Sequence, residues 1–289
     1  MFESYSVVNV DETHKSRGSS ISNIISACNN WRYKLGLSGT AKVSEEYSDF
    51  YKIQEKVGRL VMTLSAKHLI DHGYSPNVSI RMVYLTYNKS NTAAQEYIKM
   101  RKSPDEIKRM YRDNKEYGRE MLTIEKGIIF ESQERLDLIS GMIRKFGKNT
   151  LILFSDIKNE YGKNICKKLQ EWNKDTYYID GGVESEQRDE YKDAMEKNEG
   201  VIIVASFGTF ATGIDLKNVH HIVFSETTKA EITIRQAIGR GMRKLANKNK
   251  VTIWDLVDKL DGYSVRHSEV REKIYTEQSF PIKKHQVSL

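Results

Sequence analysis

An acidic pair directly follows the first apolar run of the sequence. The run SVVNV, residues 6–10, is followed by Asp11 and Glu12, and then by His14. An apolar run of this length predicts a strand, and ligands of α/β proteins bind beyond the carboxyl ends of their strands. At such a place Asp11 could hold Mg²⁺, and Glu12 could deprotonate a water that attacks a phosphate. Taken alone, however, an acidic pair after a strand is more typical of a plain turn.

A group of basic residues occurs late in the sequence. Residues 232–243, ITIRQAIGRGMR, predict a helix on which Gln236, Arg240 and Arg243 share one face, because they are spaced i, i+4 and i+7. Guanidinium groups match phosphate oxygens in geometry, so this face could clamp a polyphosphate. A solvated basic helix is the alternative. The wider segment 240–250 carries five basic residues and no acidic one, so it is either a nucleic-acid contact or a solvated helix end.

A loop between these two groups is rich in small and hydroxyl-bearing residues. It is SFGTFATGID, residues 206–215, and it follows the apolar run VIIVA. Such a loop offers backbone N–H groups and hydroxyls to phosphates. A plain connection between a strand and a helix is equally consistent with this composition.

The elements that must position these groups follow from the apolar pattern. Short apolar runs predict strands at 150–154, 176–179, 201–205, 221–224 and 251–258. Apolar residues recur at helical spacing within 134–146, 159–172, 184–197 and 228–245. Strands that alternate with helices predict an α/β fold with a parallel sheet covered on both faces.

The first 75 residues have a different organisation. They predict strands at 6–10 and 33–37, a further strand at 57–64, and helices at 19–29 and from Ser65 to Gly73. A chain of 289 residues suggests two domains. Pro76 marks the predicted boundary, so the expected domains are 1–75 and 76–289.

Composition limits the class of protein. The chain has 46 Lys and Arg against 39 Asp and Glu, and this mildly basic balance fits a polyanionic partner. No run of about 18 apolar residues occurs, so no membrane span is expected. Cys28 and Cys166 lie far apart, which argues against a disulfide framework or a zinc site and favours a reducing cytoplasm.

The order of the motifs resembles that of the superfamily 2 helicases, and of the UvsW-type phage recombination DNA helicases in particular. DETH (11–14) resembles the DExH box, LSGT (37–40) motif III and LILFSD (151–156) motif IV. GGVESEQR (181–188), SFGTFATGID and QAIGRGMR resemble the segments from there to motif VI. The stretches 20–40 and 200–224 carry the likeness to the UvsW type most directly. The likeness implies a RecA-like helicase C-terminal domain preceded by a partial first RecA-like domain.

The resemblance also implies ATP and Mg²⁺ as cofactors and gives the residues roles. In the first domain Asp11 would hold Mg²⁺ through water, Glu12 would be the catalytic base, and His14 would link the ATP site to motif III. Ser38 and Thr40 would couple hydrolysis to domain movement.

Further roles fall on the second domain. Arg243 would be the arginine finger, Arg240 a second γ-phosphate contact and Gln236 a positioning residue. Gly213 and Asp215 would lie at the nucleotide edge. The residues expected toward the nucleic-acid backbone are Ser155, Arg188 and Ser206.

One motif of the family has no match in the chain. The phosphate loop GxxxxGK[ST], which grips the β- and γ-phosphates, does not occur among the 289 residues. The resemblance therefore implies the C-terminal portion of an ATP-dependent helicase that remodels branched or single-stranded DNA in the host cytoplasm. It would need an N-terminal half carrying that loop, and residues 1–75 should expose unpaired strand edges and apolar faces without it. The alternative is a non-catalytic module that binds DNA or a helicase.

Overall fold

The computed structural model describes residues 5–39, 47–100, 115–213, 216–226, 228, 231–246, 248–260 and 262–289. The chain forms two compact units, Met1–Ser65 and Ala66–Leu289. This division precedes Pro76, because the short helix that begins at Ala66 packs through Ile70 against the core of the larger unit. Among the helices described, none combines the length and the apolar character of a membrane span.

The smaller unit has a two-stranded parallel sheet. Strand β1 is Val7–Val10 and β2 is Tyr33–Gly36, with Val7 opposite Tyr33 and Val10 opposite Gly36. Among the described residues of this unit, the other elements are a 3-10 helix, Thr13–Arg17, and two α-helices, α1 (Ser19–Ala27) and α2 (Tyr47–Val57).

The prediction of a strand at 57–64 is wrong. Helix α2 ends at Val57, Gly58 follows at φ +96°, and residues 58–65 form no regular element. Val61 is 93% exposed and Met62 is 69% exposed. No described strand lies beside this apolar run, so it has no ladder to join.

The larger unit is built on a seven-stranded sheet. Its strands are β3 (Asn77–Thr86), β4 (Thr150–Phe154), β5 (Thr176–Ile179), β6 (Ile202–Ser206), β7 (His221–Phe224), β8 (Lys250–Asp258) and β9 (Ile282–Ser288). The spatial order is β5-β6-β4-β7-β8-β3-β9, and every neighbouring pair is parallel. The predicted α/β class and parallel sheet are confirmed, and so are all five strands predicted for this region.

Helices connect the strands and cover the sheet. They are α3 (Ala66–Asp71), α4 (Thr92–Met100), α5 (Lys115–Glu131), α6 (Gln133–Arg144), α7 (Tyr161–Gln170), α8 (Ser185–Lys197), α9 (Phe207–Gly213), α10 (Glu231–Gly241) and α11 (Tyr263–Glu277). Residues of one strand alternate between the two faces: Leu151 and Leu153 belong to one core, and Ile152 and Phe154 to the other. Burying each such side chain stabilises the fold by about 1.5–3 kcal/mol.

Within the described part of the chain, two fully buried ion pairs join helices to β8. Arg135 of α6 lies 2.7 Å from Asp258, and Arg271 of α11 lies 2.7 Å from Asp255. Removing one partner of such a pair costs about 3–5 kcal/mol, because the other charge stays buried. These pairs fix α6 and α11 against β8.

Candidate functional site

The acidic turn after β1 has a constrained backbone. Glu12 adopts the left-handed conformation, with φ 48° and ψ 50°, which costs a non-glycine residue about 1–2 kcal/mol. Its backbone N–H donates to the Asp11 carboxylate at 2.8 Å. Backbone conformations of this kind concentrate at functional sites. The turn holds both carboxyl groups beyond the carboxyl end of β1.

His14 connects this turn to the turn after β2. Its Nδ1 lies 2.9 Å from the hydroxyl oxygen of Ser38 and 3.2 Å from a carboxylate oxygen of Glu12. The ring is buried, whereas the Glu12 side chain is 41% exposed. The structure therefore brings together Glu12, His14 and Ser38, which sequence reasoning had placed in one site. Thr40 lies outside the described residues.

Backbone groups also connect the turn after β1 with the turn after β2. The Leu37 carbonyl accepts two hydrogen bonds from Thr13, one from its N–H at 2.9 Å and one from its hydroxyl at 2.6 Å. A Cβ on Gly36 would lie 2.8 Å from side-chain carbons of Thr13 and Val57. Only glycine therefore allows β2 to approach the acidic turn this closely, a requirement that sequence reasoning missed.

The basic group on α10 is arranged differently from the prediction. Gln236 and Arg240 lie on the helix, but the helix ends at Gly241, so the expectation that Arg243 shares their helical face is wrong. Gly241 packs against Ile222, where an added Cβ would lie 2.5 Å from the isoleucine side chain. The Arg240 guanidinium lies 5.4 Å from the centre of the Phe210 ring, and Arg243 is exposed.

A buried lysine holds the end of α10. The ammonium of Lys248 donates to the carbonyls of Lys217 at 2.5 Å and of Gly241 at 3.0 Å. Lys248 is 2% exposed, and burial lowers its pKa from 10.5 to about 8. It ties α10 to the segment that follows loop 206–215. Sequence reasoning treated it as one of five surface cations, because a run of charges carries no signal of burial.

The loop 206–215 begins at the carboxyl end of β6. The Ser206 hydroxyl lies 2.8 Å from the Thr209 hydroxyl and accepts the Thr209 N–H at 3.3 Å, so this buried serine holds the first turn of α9. Gly213 is the last residue of that helix. Asp215 lies outside the described residues.

The other expected nucleic-acid contacts lie on two elements. Ser155 directly follows β4 and is exposed. Arg188 on α8 is partly exposed and donates to the Gly181 carbonyl at 3.1 Å. Ser155 and Ser206 therefore lie at the carboxyl edge of the sheet, at the ends of the neighbouring strands β4 and β6.

A buried glutamate that sequence reasoning missed supports the turn beside Ser155. Glu226 is 1% exposed, and one of its carboxyl oxygens accepts the Asp156 N–H at 2.7 Å. Its other oxygen is buried and makes no hydrogen bond within the described part of the chain. Burial raises the pKa of Glu226 from 4.5 to about 7.

In the larger unit, the pair Ser155 and Ser206 and the end of α10 lie at opposite ends of the parallel strands. Ser155 and Ser206 lie at the carboxyl ends of strands. Gly241 packs against Ile222 near the amino end of β7, and Arg243 precedes β8 in the chain. Because all seven strands are parallel, the end of α10 is separated from the carboxyl edge by the length of the strands.

Each of these groups, taken by itself, has the chemistry to bind part of a magnesium nucleotide. A carboxylate oxygen such as that of Asp11 is the ligand type that Mg²⁺ prefers, and guanidinium groups suit its phosphates. The nest of backbone N–H groups that a phosphate loop supplies has no counterpart in the sequence.

Comparison with known proteins shows that this chain is similar to helicases. The model of the helicase conserved C-terminal domain family matches residues 134–244. The chain is 30% identical over 257 residues to the ATP-dependent DNA helicase UvsW of Enterobacteria phage T4, a match that covers 89% of this chain and 47% of that protein. The chain thus spans about half the length of this curated relative.

Solved structures match over almost the whole chain. The crystal structure of T4 UvsW has a TM-score of 0.55 at 27% identity, over 99% of this chain and 55% of that one. S. cerevisiae Dbp5 bound to RNA and ADP BeF3 has a TM-score of 0.57 at 13% identity, over 100% and 61% of the two chains. The restriction-modification enzyme LlaBIII bound to DNA has a TM-score of 0.59 at 15% identity, over 98% and 22%. The last two show the fold alone, and it is the RecA-like α/β fold that the sequence predicted.

Proposed function

Because the chain belongs to the superfamily 2 helicases and carries their conserved C-terminal domain at residues 134–244, we propose that it is the C-terminal portion of an ATP-dependent DNA helicase. In this proposal the smaller unit, Met1–Ser65, is the remnant of a first RecA-like domain, and the larger unit, Ala66–Leu289, is the second. A polypeptide that carries the phosphate loop completes the enzyme. The complete enzyme couples ATP hydrolysis to movement on branched or single-stranded DNA.

The contact between His14 and Ser38 carries this proposal. It joins the acidic turn to the turn after β2 by a 2.9 Å hydrogen bond, with Glu12 3.2 Å from the same imidazole. A plain acidic turn has no need of a buried histidine that reaches a second turn. A change at the acidic turn can therefore pass directly to Ser38.

The residues of this chain would divide the chemistry among them. Bound Mg²⁺–ATP supplies the phosphoanhydride bond that is cleaved. Asp11 would hold the ion through water, and Glu12 would take the proton of the water that attacks the γ-phosphate, with ADP as the leaving group. Arg243 and Arg240 stabilise the charge that develops on the γ-phosphate, as positioned cations do in phosphoryl transfer.

Other residues support these roles in the proposal. Gln236 positions the arginines from α10, and Gly213 and Asp215 approach the nucleotide. Thr40 acts with Ser38 in coupling hydrolysis to movement.

DNA contacts in this proposal are made mainly to phosphates. Ser155 and Arg188 contact the backbone directly, whereas Ser206 acts by holding the turn that begins α9. Phosphate contacts make affinity strongly dependent on salt, because binding releases counterions. The net charge of +7 is consistent with such a partner.

The need for a second polypeptide is supported by the smaller unit. Its sheet has two strands, and Val7, Tyr33 and Leu35 are 53%, 60% and 51% exposed. A two-stranded sheet is marginally stable by itself, and exposed apolar strands mark surfaces that bind other chains. In the proposal, the helicase half with the phosphate loop covers these strands.

Strand displacement tests the proposed function. The chain is mixed with a separately made polypeptide that carries a GxxxxGK[ST] loop, and a labelled strand is released from a branched DNA by adding ATP. We expect release with the wild-type chain and none with Glu12→Gln, although both bind the DNA. Equal release by both chains would contradict the role of Glu12.

A non-catalytic DNA-binding or helicase-binding module is the second candidate. It is favoured by one observation, the lack of a phosphate-loop sequence in the chain. A chain that binds branched DNA but never hydrolyses ATP, with any loop-bearing polypeptide bound to it, would establish this candidate.

A further inference from the structure

The turn between β4 and α7, residues 155–160, is held through Asp156. The N–H of Asp156 donates to a carboxyl oxygen of Glu226 at 2.7 Å. Its carboxylate accepts a hydrogen bond from the Lys126 ammonium at 3.1 Å. The same carboxylate accepts the N–H and the side-chain amide of Asn159, at 3.1 Å and 3.0 Å. The turn is therefore fixed through both the backbone and the side chain of Asp156.

The backbone that carries Glu226 is itself fixed by the core. The N–H and the hydroxyl of Ser225 both donate to the Leu153 carbonyl, at 3.1 Å and 2.9 Å. The Ser225 carbonyl accepts a hydrogen bond from the Arg135 guanidinium at 2.7 Å, and both residues are fully buried. Glu226 therefore holds Asp156 at a fixed place relative to the carboxyl end of β4.

The burial of Glu226 is not explained by the packing of the core. The second carboxyl oxygen of this buried residue makes no hydrogen bond among the described residues. Buried polar atoms without a hydrogen bond are rare in folded proteins, so each one requires an explanation. The first oxygen accepts the Asp156 N–H. The contacts of Glu226 therefore indicate that its role is to hold the turn.

The groups that the turn exposes are suited to a phosphate. Ser155 and Lys158 are both exposed, and hydroxyl and ammonium groups are common contacts of nucleic-acid phosphates. The two acidic residues of the turn have cationic partners, since Asp156 is paired as described above and Glu160 lies 2.9 Å from Lys163. Because both acidic charges are offset, the charge of Lys158 remains to attract a phosphate.

We infer that Glu226 is a positioning residue for DNA binding: by holding the Asp156 N–H, it presents Ser155 and Lys158 to a backbone phosphate. This inference rests on the proposed function, in which Ser155 contacts DNA. Glu226 itself makes no contact with DNA, because its side chain is buried. Removal of a carboxyl group does not by itself weaken binding to a polyanion. A weaker affinity after its removal therefore reports lost positioning.

The dependence of DNA binding on salt tests the inference in the full chain. A labelled branched DNA is titrated with the chain at several salt concentrations, and the slope of log affinity against log salt is measured. Loss of one cation–phosphate contact lowers the magnitude of this slope by about 0.9, and the affinity about fivefold near 0.15 M salt. We expect this loss in Lys158→Ala and also in Glu226→Ala, although the second variant removes no cation.

Two further variants at Glu226 separate the hydrogen bond from the packing of the side chain. Glu226→Gln should bind DNA like the wild type, because its amide oxygen can accept the Asp156 N–H. Glu226→Met keeps a side chain of similar volume but cannot accept this bond in the same way, so it should show the same loss as Glu226→Ala. Glu226→Ala combined with Lys158→Ala should lower the slope no further than Lys158→Ala does, because both changes remove one contact.

A matched control is available on α8. Glu196→Ala removes a carboxylate that also accepts backbone N–H groups, those of Lys217 and Asn218, but these residues precede β7 and lie away from the turn. This variant should leave the slope unchanged. A wild-type slope in Glu226→Met, an equal loss in Glu196→Ala, or no DNA binding by the wild-type chain would overturn the inference. Failure of the proposed function is distinguishable, because the two-part enzyme would then bind DNA without hydrolysing ATP.

Discussion

The Nδ1 atom of His14 lies 2.9 Å from the hydroxyl oxygen of Ser38, so one hydrogen bond joins the turns that end two parallel strands. The residues are 24 positions apart in sequence. The same imidazole lies 3.2 Å from Glu12, the proposed catalytic base. Through His14, the proposed catalytic base Glu12 is therefore connected to Ser38, a residue proposed to couple hydrolysis to movement.

Replacing Ser38 should separate hydrolysis from movement. Ser38→Ala removes the hydroxyl that contacts His14 but leaves Glu12 in place. We expect the two-part enzyme to retain most of its ATP hydrolysis and to lose strand displacement, measured in parallel on the same branched DNA. The matched control is Ser20→Ala, at an exposed serine of α1. Parallel loss of both activities in Ser38→Ala would contradict a coupling role.

Removing the proposed arginine finger should abolish turnover. A finger arginine contributes about 10³–10⁵ in rate, so Arg243→Ala should reduce ATP hydrolysis in the two-part enzyme by that order. DNA affinity should remain unchanged, because Arg243 lies away from the carboxyl edge of the sheet. Lys197→Ala, which removes an exposed cation on α8, is the control. Near-normal turnover in Arg243→Ala would reject the assignment.

The buried Lys248 should make stability depend on pH above neutrality. Its pKa falls from 10.5 to about 8 on folding, so between these values the unfolded chain binds more protons and stability rises with pH. The rise is at most about 3 kcal/mol. Lys248→Met should lack this component and should leave two buried carbonyls without a donor. The free energy of unfolding is measured by urea titration of both proteins at pH 8 and at pH 10. An equal change of this free energy between the two pH values in both proteins would contradict the assignment.

The buried Glu226 should make the stability of the fold decrease as pH rises toward neutrality. Its pKa rises from 4.5 to about 7 on folding, so its contribution is full below pH 4.5 and is lost as pH rises through 7. Glu226→Gln should remove this fall in stability, which is at most about 3 kcal/mol. The control is Glu186→Gln, at an exposed residue of α8. An unchanged pH profile in Glu226→Gln would show that the buried carboxyl is ionised throughout.

The sequence was sufficient for five strands of the larger unit's sheet and insufficient for β3 and β9. Strands β4 and β6 are buried on both faces, so each is an uninterrupted apolar run. Strand β3 was missed because Arg81 interrupts its apolar pattern; that side chain lies 3.2 Å from His285 on β9. Strand β9 was missed because it is an edge strand with alternating exposed polar residues.

The residues of the candidate site, too, could be predicted from the sequence only in part. The resemblance to the helicase motifs implied that His14 and Ser38 belong to one site, and the parallel pairing of β1 and β2 brings the two turns together. Lys248 and Glu226 could not be found in this way, because their importance comes from burial against carbonyls and N–H groups distant in sequence. The close approach of Gly241 to Ile222 is likewise a contact between residues distant in sequence.

ATP hydrolysis tests the central claim most directly. Phosphate release is measured for this chain alone and for the chain mixed with a polypeptide that carries the phosphate loop, each with and without branched DNA. The account predicts no hydrolysis by either polypeptide alone, and DNA-stimulated hydrolysis by the mixture that Arg243→Ala abolishes. Hydrolysis by the chain alone, or none by a mixture shown to form a complex, would contradict it.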